Sequence, residues 1–175
     1  MRIVGLDPGL RKTGWGVIDA RDGRLSHVAN GVIRSNSDGD LAARLVELKQ
    51  GIDRVIASYG PSHAAVEETL ANKNPSSTLK LGMARGAALL AAALADLPVA
   101  EYLPMIVKKS VVGTGHAGKQ QVETMVRHLL PGCEIASADA ADALAVAICH
   151  AHNLETRLGW SSSLGTLAAR GARRR

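Results

Sequence analysis

Four acidic side chains in this 175-residue chain stand where an acid is costly to place. Asp7 ends an apolar run, RIVGLD, just before Pro8-Gly9, and Glu67 ends another, HAAVE. Asp139 and Asp142 lie three apart in ADAADALAVAI, so a helix there puts both on one face. Removing a carboxylate from water is expensive unless a cation compensates it. Four carboxylates with no base between them have the chemistry of a hard-cation site built from oxygen ligands. Two Mg²⁺ held by such a cluster is the usual arrangement for in-line hydrolysis of a phosphodiester. Taken singly, each acid also has a plainer reading. Asp139 suits the N-cap of the last helix, and Asp7 before Pro-Gly suits a turn. Glu68 competes with Glu67, since strand alternation lets only one of them reach a given face.

Other patterns point to chemistry less well. Gly113 to Lys119 satisfies GxxxxGK, but Gln120 follows where a phosphate-binding loop needs Ser or Thr for Mg²⁺. The preceding VKKSVV is also a poor buried strand. His150 and His152, two apart on a helix, diverge too far to share a metal; His116, in the Gly-rich loop, is the histidine best placed to meet a phosphate. Cys133 and Cys149 form neither a zinc knuckle nor a disulfide framework and read as small buried fillers.

The elements that must position these residues can be read from period and punctuation. Residues 2–7, Thr13–Ala20 and Leu25–Arg34 are β-rich, with a turn at Arg21-Asp22-Gly23, so the chain opens as an antiparallel meander. Asp40 then caps a helix to about Ser58, with Leu41, Leu45, Leu48, Ile52 and Val55 on one stripe, and Tyr59-Gly60-Pro61 stops it. His63–Glu67 is a short strand, Asn72–Pro75 a polar loop, Ser76 to about Ala95 an Ala-rich helix, and Val99–Tyr102 a strand. A short segment follows Pro104, and helices over Lys119–Leu130 and Ala138–Glu155 complete the body. This order describes an α/β domain, a mixed sheet with helices packed on it. With 28 alanines and no Phe, the helices must pack closely over a thin core. Gly82 and Gly86 make a GxxxG step that permits close helix approach, within the chain or across a dimer.

Charge is distributed unevenly. The net formal charge is +5, from 21 Lys and Arg against 16 Asp and Glu. Five arginines (Arg157, Arg170, Arg173, Arg174 and Arg175) lie in residues 157–175, which hold no acid, so residues 1–156 are formally neutral. The expectation is a single nuclease-sized domain over 1–156 and a basic, disordered tail over 157–175. No signal peptide or membrane span is expected, and sparse cysteine suits a cytoplasmic protein.

Five segments together carry a resemblance: LDPGLRKTGWGVI, AVEET, LKLGMARGAALLAA, VKKSVVGTGHAGKQQV and ADAADALAVAICHAH. From Met1 to about His152 the chain resembles the RuvC family of Holliday junction resolvases. The resemblance implies a ribonuclease H-like, mixed five-stranded sheet flanked by helices, and a homodimer that resolves four-way junctions by paired symmetric nicks. It implies divalent-metal dependence, with two Mg²⁺ per site and Mn²⁺ as a substitute. The partners it implies are a branch-migration motor and a junction-binding subunit, of the RuvB and RuvA type. The family's acids fall on Asp7, Glu67, Asp139 and Asp142, which selects Glu67 over Glu68. Lys108 and Lys119 match family lysines near the scissile phosphate, and Lys73, Lys80, Arg85 and Lys109 are further candidates for the DNA backbone. One departure stands out: where the family commonly places an aromatic to stack on a base, this chain has Leu70. Leucine can wedge between bases but offers no ring to stack. A junction-binding protein with weakened or lost catalysis is the alternative expectation.

Overall fold

The computed structural model describes residues 1–69 and 74–172, with side chains described through Thr156. Leu70, Lys73 and the arginines of 157–175 lie outside that side-chain description. Five strands form one sheet: β1 (Arg2–Asp7), β2 (Lys12–Arg21), β3 (Arg24–Arg34), β4 (His63–Glu67) and β5 (Val99–Tyr102). Their order is β3-β2-β1-β4-β5, with β1, β2 and β3 antiparallel neighbours and β4 and β5 parallel. Asp22 and Gly23, both at positive φ, make the tight β2–β3 turn that the Asp-Gly pair favours. The mixed sheet flanked by helices is the architecture expected from the sequence.

Alternation along the strands divides the core. Ile3, Ile18 and Ala65 face one layer, built from α3 (Pro104–Val112), α4 (Lys119–Leu129) and α5 (Ala138–Ala172). Val4, Leu6, Val17, Ala64 and Val66 face the other, built from α1 (Leu41–Tyr59) and α2 (Pro75–Leu94). Leu144 and Ile148 of α5 are fully buried against the sheet, each worth about 1.5–3 kcal/mol by area.

Several local expectations change. Asp40 occupies the N-cap of α1, but its side chain makes no capping bond; Asn74 does that work for α2, accepting from the N–H of Ser76 at 3.0 Å and Ser77 at 3.4 Å. The segment after Pro104 is a helix, α3, which Pro104 opens at a position where a missing N–H costs nothing. The backbone of α5 continues helically past Glu155.

Candidate active site

Two strand ends and three helices converge on one cleft of about 250 Å³. Asp7 and Glu67 arrive side by side, because β1 and β4 pair in parallel with Leu6 opposite Val66, and both side chains fall on the α5 face. Glu68 has the opposite parity and does not line the cleft. Asp142 and Ala145, three apart on α5, form the facing wall. Pro104, Val107 and Lys108 come from α3, and Lys119 and Val122 from the first turn of α4. Asp139, one turn before Asp142, is half-buried and close enough for its charge to act on Asp7.

Ser137, rather than Asp139, caps α5: its Oγ accepts the Ala140 N–H at 3.1 Å. Asp139 is therefore free of the capping role and sits in the helix's first turn, where the helix dipole favours an anion.

Burial first, then nearby carboxylate charge (Asp142 and Asp139 on Asp7, Asp7 and Asp142 on Glu67), pushes both strand-end acids upward: Asp7 to about 6 and Glu67 to about 8. A hydrogen bond between the two lowers Asp7 and raises Glu67, so Glu67 carries the proton. Lys119 Nζ lies 3.2 Å from Asp142 Oδ2, and that carboxylate raises the lysine's pKa. The lysine side chain is 78 % exposed, so the pair is a poor source of stability. Among the described residues no three His, Cys, Asp or Glu side chains are already drawn into a metal cage. The donor chemistry nonetheless fits hard divalent cations. The site gathers carboxylate oxygens, buries two of the acids, and leaves them holding a proton for want of positive charge.

A divalent ion held by Glu67 would need that carboxyl ionised. Titrating Mg²⁺ at pH 7 is therefore expected to release about one proton per site, falling to none near pH 9.5. Calorimetry in two buffers of different ionisation heat reads this directly, and buffer-independent heats at pH 7 contradict it. The same shifts destabilise the metal-free fold as pH climbs. A raised folded-state pKa means the folded chain binds the extra proton, so that contribution is present at low pH and lost by about pH 8.

The other basic candidates scatter. Lys80 lies in a separate groove with Gly9, Leu10, Arg11, Lys12 and Arg44. Lys109 lines a shallow surface with Ser110 and His152. Arg85 is bonded through Nε to Glu101 at 2.7 Å and forms an ion pair with it, so it is already partnered. His116 is exposed in the α3–α4 loop and does not line the cleft. A helix precedes that loop, so GxxxxGK lacks the strand a nucleotide-binding loop requires.

Two positioning features escaped the sequence reading. A Cβ on Gly14, which pairs with Asp7 across the sheet, would come within 1.9 Å of the Asp139 carbonyl oxygen. A Cβ on Gly5 would come within 2.1 Å of the Ala143 oxygen, so these glycines let α5 lie directly on the strands. Glycine inside a strand is the signal for such an approach. The second feature is Asn30 on β3. Its amide donates to the Glu134 carbonyl at 2.8 Å and accepts the Ala136 N–H at 2.9 Å, clamping the loop that leads into α5. More than a hundred residues separate the partners, so no local pattern announces the clamp.

Known proteins share this arrangement. A family profile described as crossover junction endodeoxyribonuclease RuvC matches residues 3–150. A protein of that name from Paramagnetospirillum magneticum is 64% identical over 157 residues, covering 90% of this chain and 95% of the relative. One from Rhodospirillum rubrum is 63% identical over 152 residues, covering 87% and 90%. Among solved structures, T. thermophilus RuvC in complex with a Holliday junction substrate superposes with a TM-score of 0.82. It shares 33% identity and covers 91% of this chain and 96% of that one.

Proposed function

This chain belongs to the RuvC family of crossover junction endodeoxyribonucleases, and from that premise we propose how its own residues cut DNA. The protein is a structure-selective endonuclease that resolves Holliday junctions. Asp7, Glu67, Asp139 and Asp142 are the residues that hold the metal, two Mg²⁺ per site with Mn²⁺ able to substitute. Ions held by these residues would supply an activated water and positive charge for the leaving 3′ oxygen, so that the products would carry 5′ phosphates. Lys119, with Lys108 beside it, offers positive charge where the scissile phosphate gains negative charge. The apolar walls from Val107, Val122 and Ala145 exclude water and so strengthen each of these interactions. The observation that carries this reading is a cleft in which half-buried strand-end acids face lysines from two helices.

Lys73, Lys80 and Lys109 are assigned to DNA phosphates. Arg85 can join them only by exchanging Glu101 for a phosphate. Leu70 is assigned to the crossover, as a wedge rather than a stacking platform. Residues 1–156 are the nuclease domain and 157–175 a basic tail. No helix among the described residues is long and apolar enough to cross a membrane, in keeping with work on DNA in the cytoplasm beside RuvA- and RuvB-type partners.

A homodimer supplies the second cut. On α2, Leu79, Leu90 and Leu94 are 62%, 54% and 64% exposed, and Gly82 and Gly86 open onto free space. Among the described residues nothing packs on the GxxxG step, and a second copy of α2 fits it. A two-fold pair presents two clefts to a nearly two-fold junction. With Mg²⁺ and a synthetic four-way junction, the wild type is expected to run as a dimer and give paired nicks. Leu90→Glu together with Leu94→Glu should run as a monomer and leave single, uncoupled nicks. A dimeric double variant that still nicks in pairs contradicts this assignment, and an uncut junction with the wild type contradicts the nuclease reading itself.

A further inference from the structure

The Asp7-Pro8-Gly9 turn separates two concavities of opposite character. Asp7 belongs to the acidic cleft; Gly9, two residues on, borders a groove of about 580 Å³ whose charged lining is Arg11, Lys12, Arg44 and Lys80. No carboxylate lines that groove, and none of the four cations has an ion-pair partner among the described residues. We propose that this groove is a second DNA-binding track, taking the phosphodiester backbone of the strand where it leaves the cleft over the Pro8-Gly9 turn.

Arg44 is held in place for such a role. Its Nε donates to Ser35 Oγ at 3.1 Å and one terminal nitrogen to the Leu10 carbonyl at 3.3 Å. Ser35 in turn donates to the same carbonyl. A guanidinium carries five N–H donors, so this bracing fixes its plane and leaves donors for a phosphate. The tight turn that brings Arg11 and Lys12 to the rim is also fixed: Thr13 Oγ1 donates to the Gly9 carbonyl at 2.9 Å, and a Cβ on Gly9 would lie 2.4 Å from the Lys12 oxygen. Lys80 and Ser77 close the far side from the first turns of α2, whose opening turn holds no acid. Four like charges held together without counter-ions are unfavourable in the free protein, and a polyanion removes that repulsion. Among the described residues the groove carries no acid to bind a metal and no ring to stack a base, so its chemistry selects a backbone and not a sequence.

This inference deepens the nuclease reading and rests on it. The test is the salt dependence of binding to a four-way junction, measured without Mg²⁺ so that the DNA stays intact. Arg11→Gln/Lys12→Gln/Lys80→Gln alters exposed side chains and is expected to fold normally. Each lost phosphate contact should flatten the slope of log K against log salt by about 0.9, and the triple variant should bind about 10²-fold more weakly near 0.1 M salt. Arg21→Gln/Arg24→Gln removes two charges at the β2–β3 turn on the opposite end of the sheet, tests whether charge lost away from the groove matters, and should leave the slope nearly unchanged. A triple-variant slope equal to that of the control overturns the groove assignment while leaving the nuclease reading intact. A wild type that neither binds nor cuts the junction would instead remove the premise.

Discussion

Asp7→Asn is expected to lower the rate of junction cleavage by about 10³-fold or more, a loss of roughly 4 kcal/mol in transition-state stabilisation. The same variant should bind the junction at least as tightly as the wild type. The two effects separate because Asp7 does different things to metal and to DNA. It is a half-buried acid at a strand end, and as the proposed metal ligand it would lose both charge and a metal contact when one oxygen becomes an amide. Toward DNA, however, its charge is repulsive. The substitution is nearly isosteric and relieves a burial that already pushes the acid up to about 6, so the fold should tolerate it well. Residues 1–156 hold 16 acids against 16 bases, and two divalent ions bound at the four proposed ligands would cancel four of those negative charges. Weaker junction binding by a folded Asp7→Asn protein would contradict the account.

Gly14→Ala is expected to cost nearly as much without touching any reacting group. Its Cβ would sit 1.9 Å from the Asp139 carbonyl oxygen, which is backbone and cannot rotate away. The start of α5 must retreat by about 1 Å or more, carrying Asp139 and Asp142 away from Asp7 and Glu67. A misplacement of that size costs about 10²-fold in rate, and the overpacking about 1–3 kcal/mol in stability. Single-turnover rates and a thermal melt measured on the same preparation distinguish the two. The geometry predicts a folded protein with a lower Tm, weaker Mg²⁺ binding and slow cleavage. Activity within a few-fold of wild type would show that α5 does not need this approach. Ala substitution at Gly39, where a Cβ would meet nothing closer than 3.5 Å, is the comparison that isolates the effect of crowding.

What was legible in the sequence was local. RIVGLD, HAAVE and VAEY are strands over the residues expected, because short apolar runs bounded by Pro, Gly or charge leave little choice. The acids at two of those ends were conspicuous for the same reason. Choosing Glu67 over Glu68 needed either the family resemblance or the β1–β4 register, since alternation alone gives parity and not direction. What was not legible was nonlocal. Asn30 meets residues 134 and 136, Arg85 meets Glu101, and Gly14 meets Asp139 only once the chain has folded. Asp40 and Asp139 show the limit of propensity at helix starts. Both had the right residue type for an N-cap, yet Asp40 makes no side-chain cap and Ser137 takes the role at α5. The grouping of Arg11, Lys12, Arg44 and Lys80 likewise needed the fold, because α1 and α2 bring residues far apart in sequence to one turn.

The cleft lined by Asp7, Glu67 and Asp142, with Asp139 one helical turn away, is proposed to cut four-way junctions with a divalent metal. The most direct measurement forms the complex of protein with a labelled four-way junction in the absence of metal, then adds Mg²⁺ and follows one turnover. A linear duplex of the same sequence runs in parallel. The account predicts no cutting before Mg²⁺, rapid appearance of nicks bearing 5′-phosphates on the junction, and an intact duplex. A junction that stays whole after Mg²⁺, or a duplex cut as fast as the junction, would contradict it.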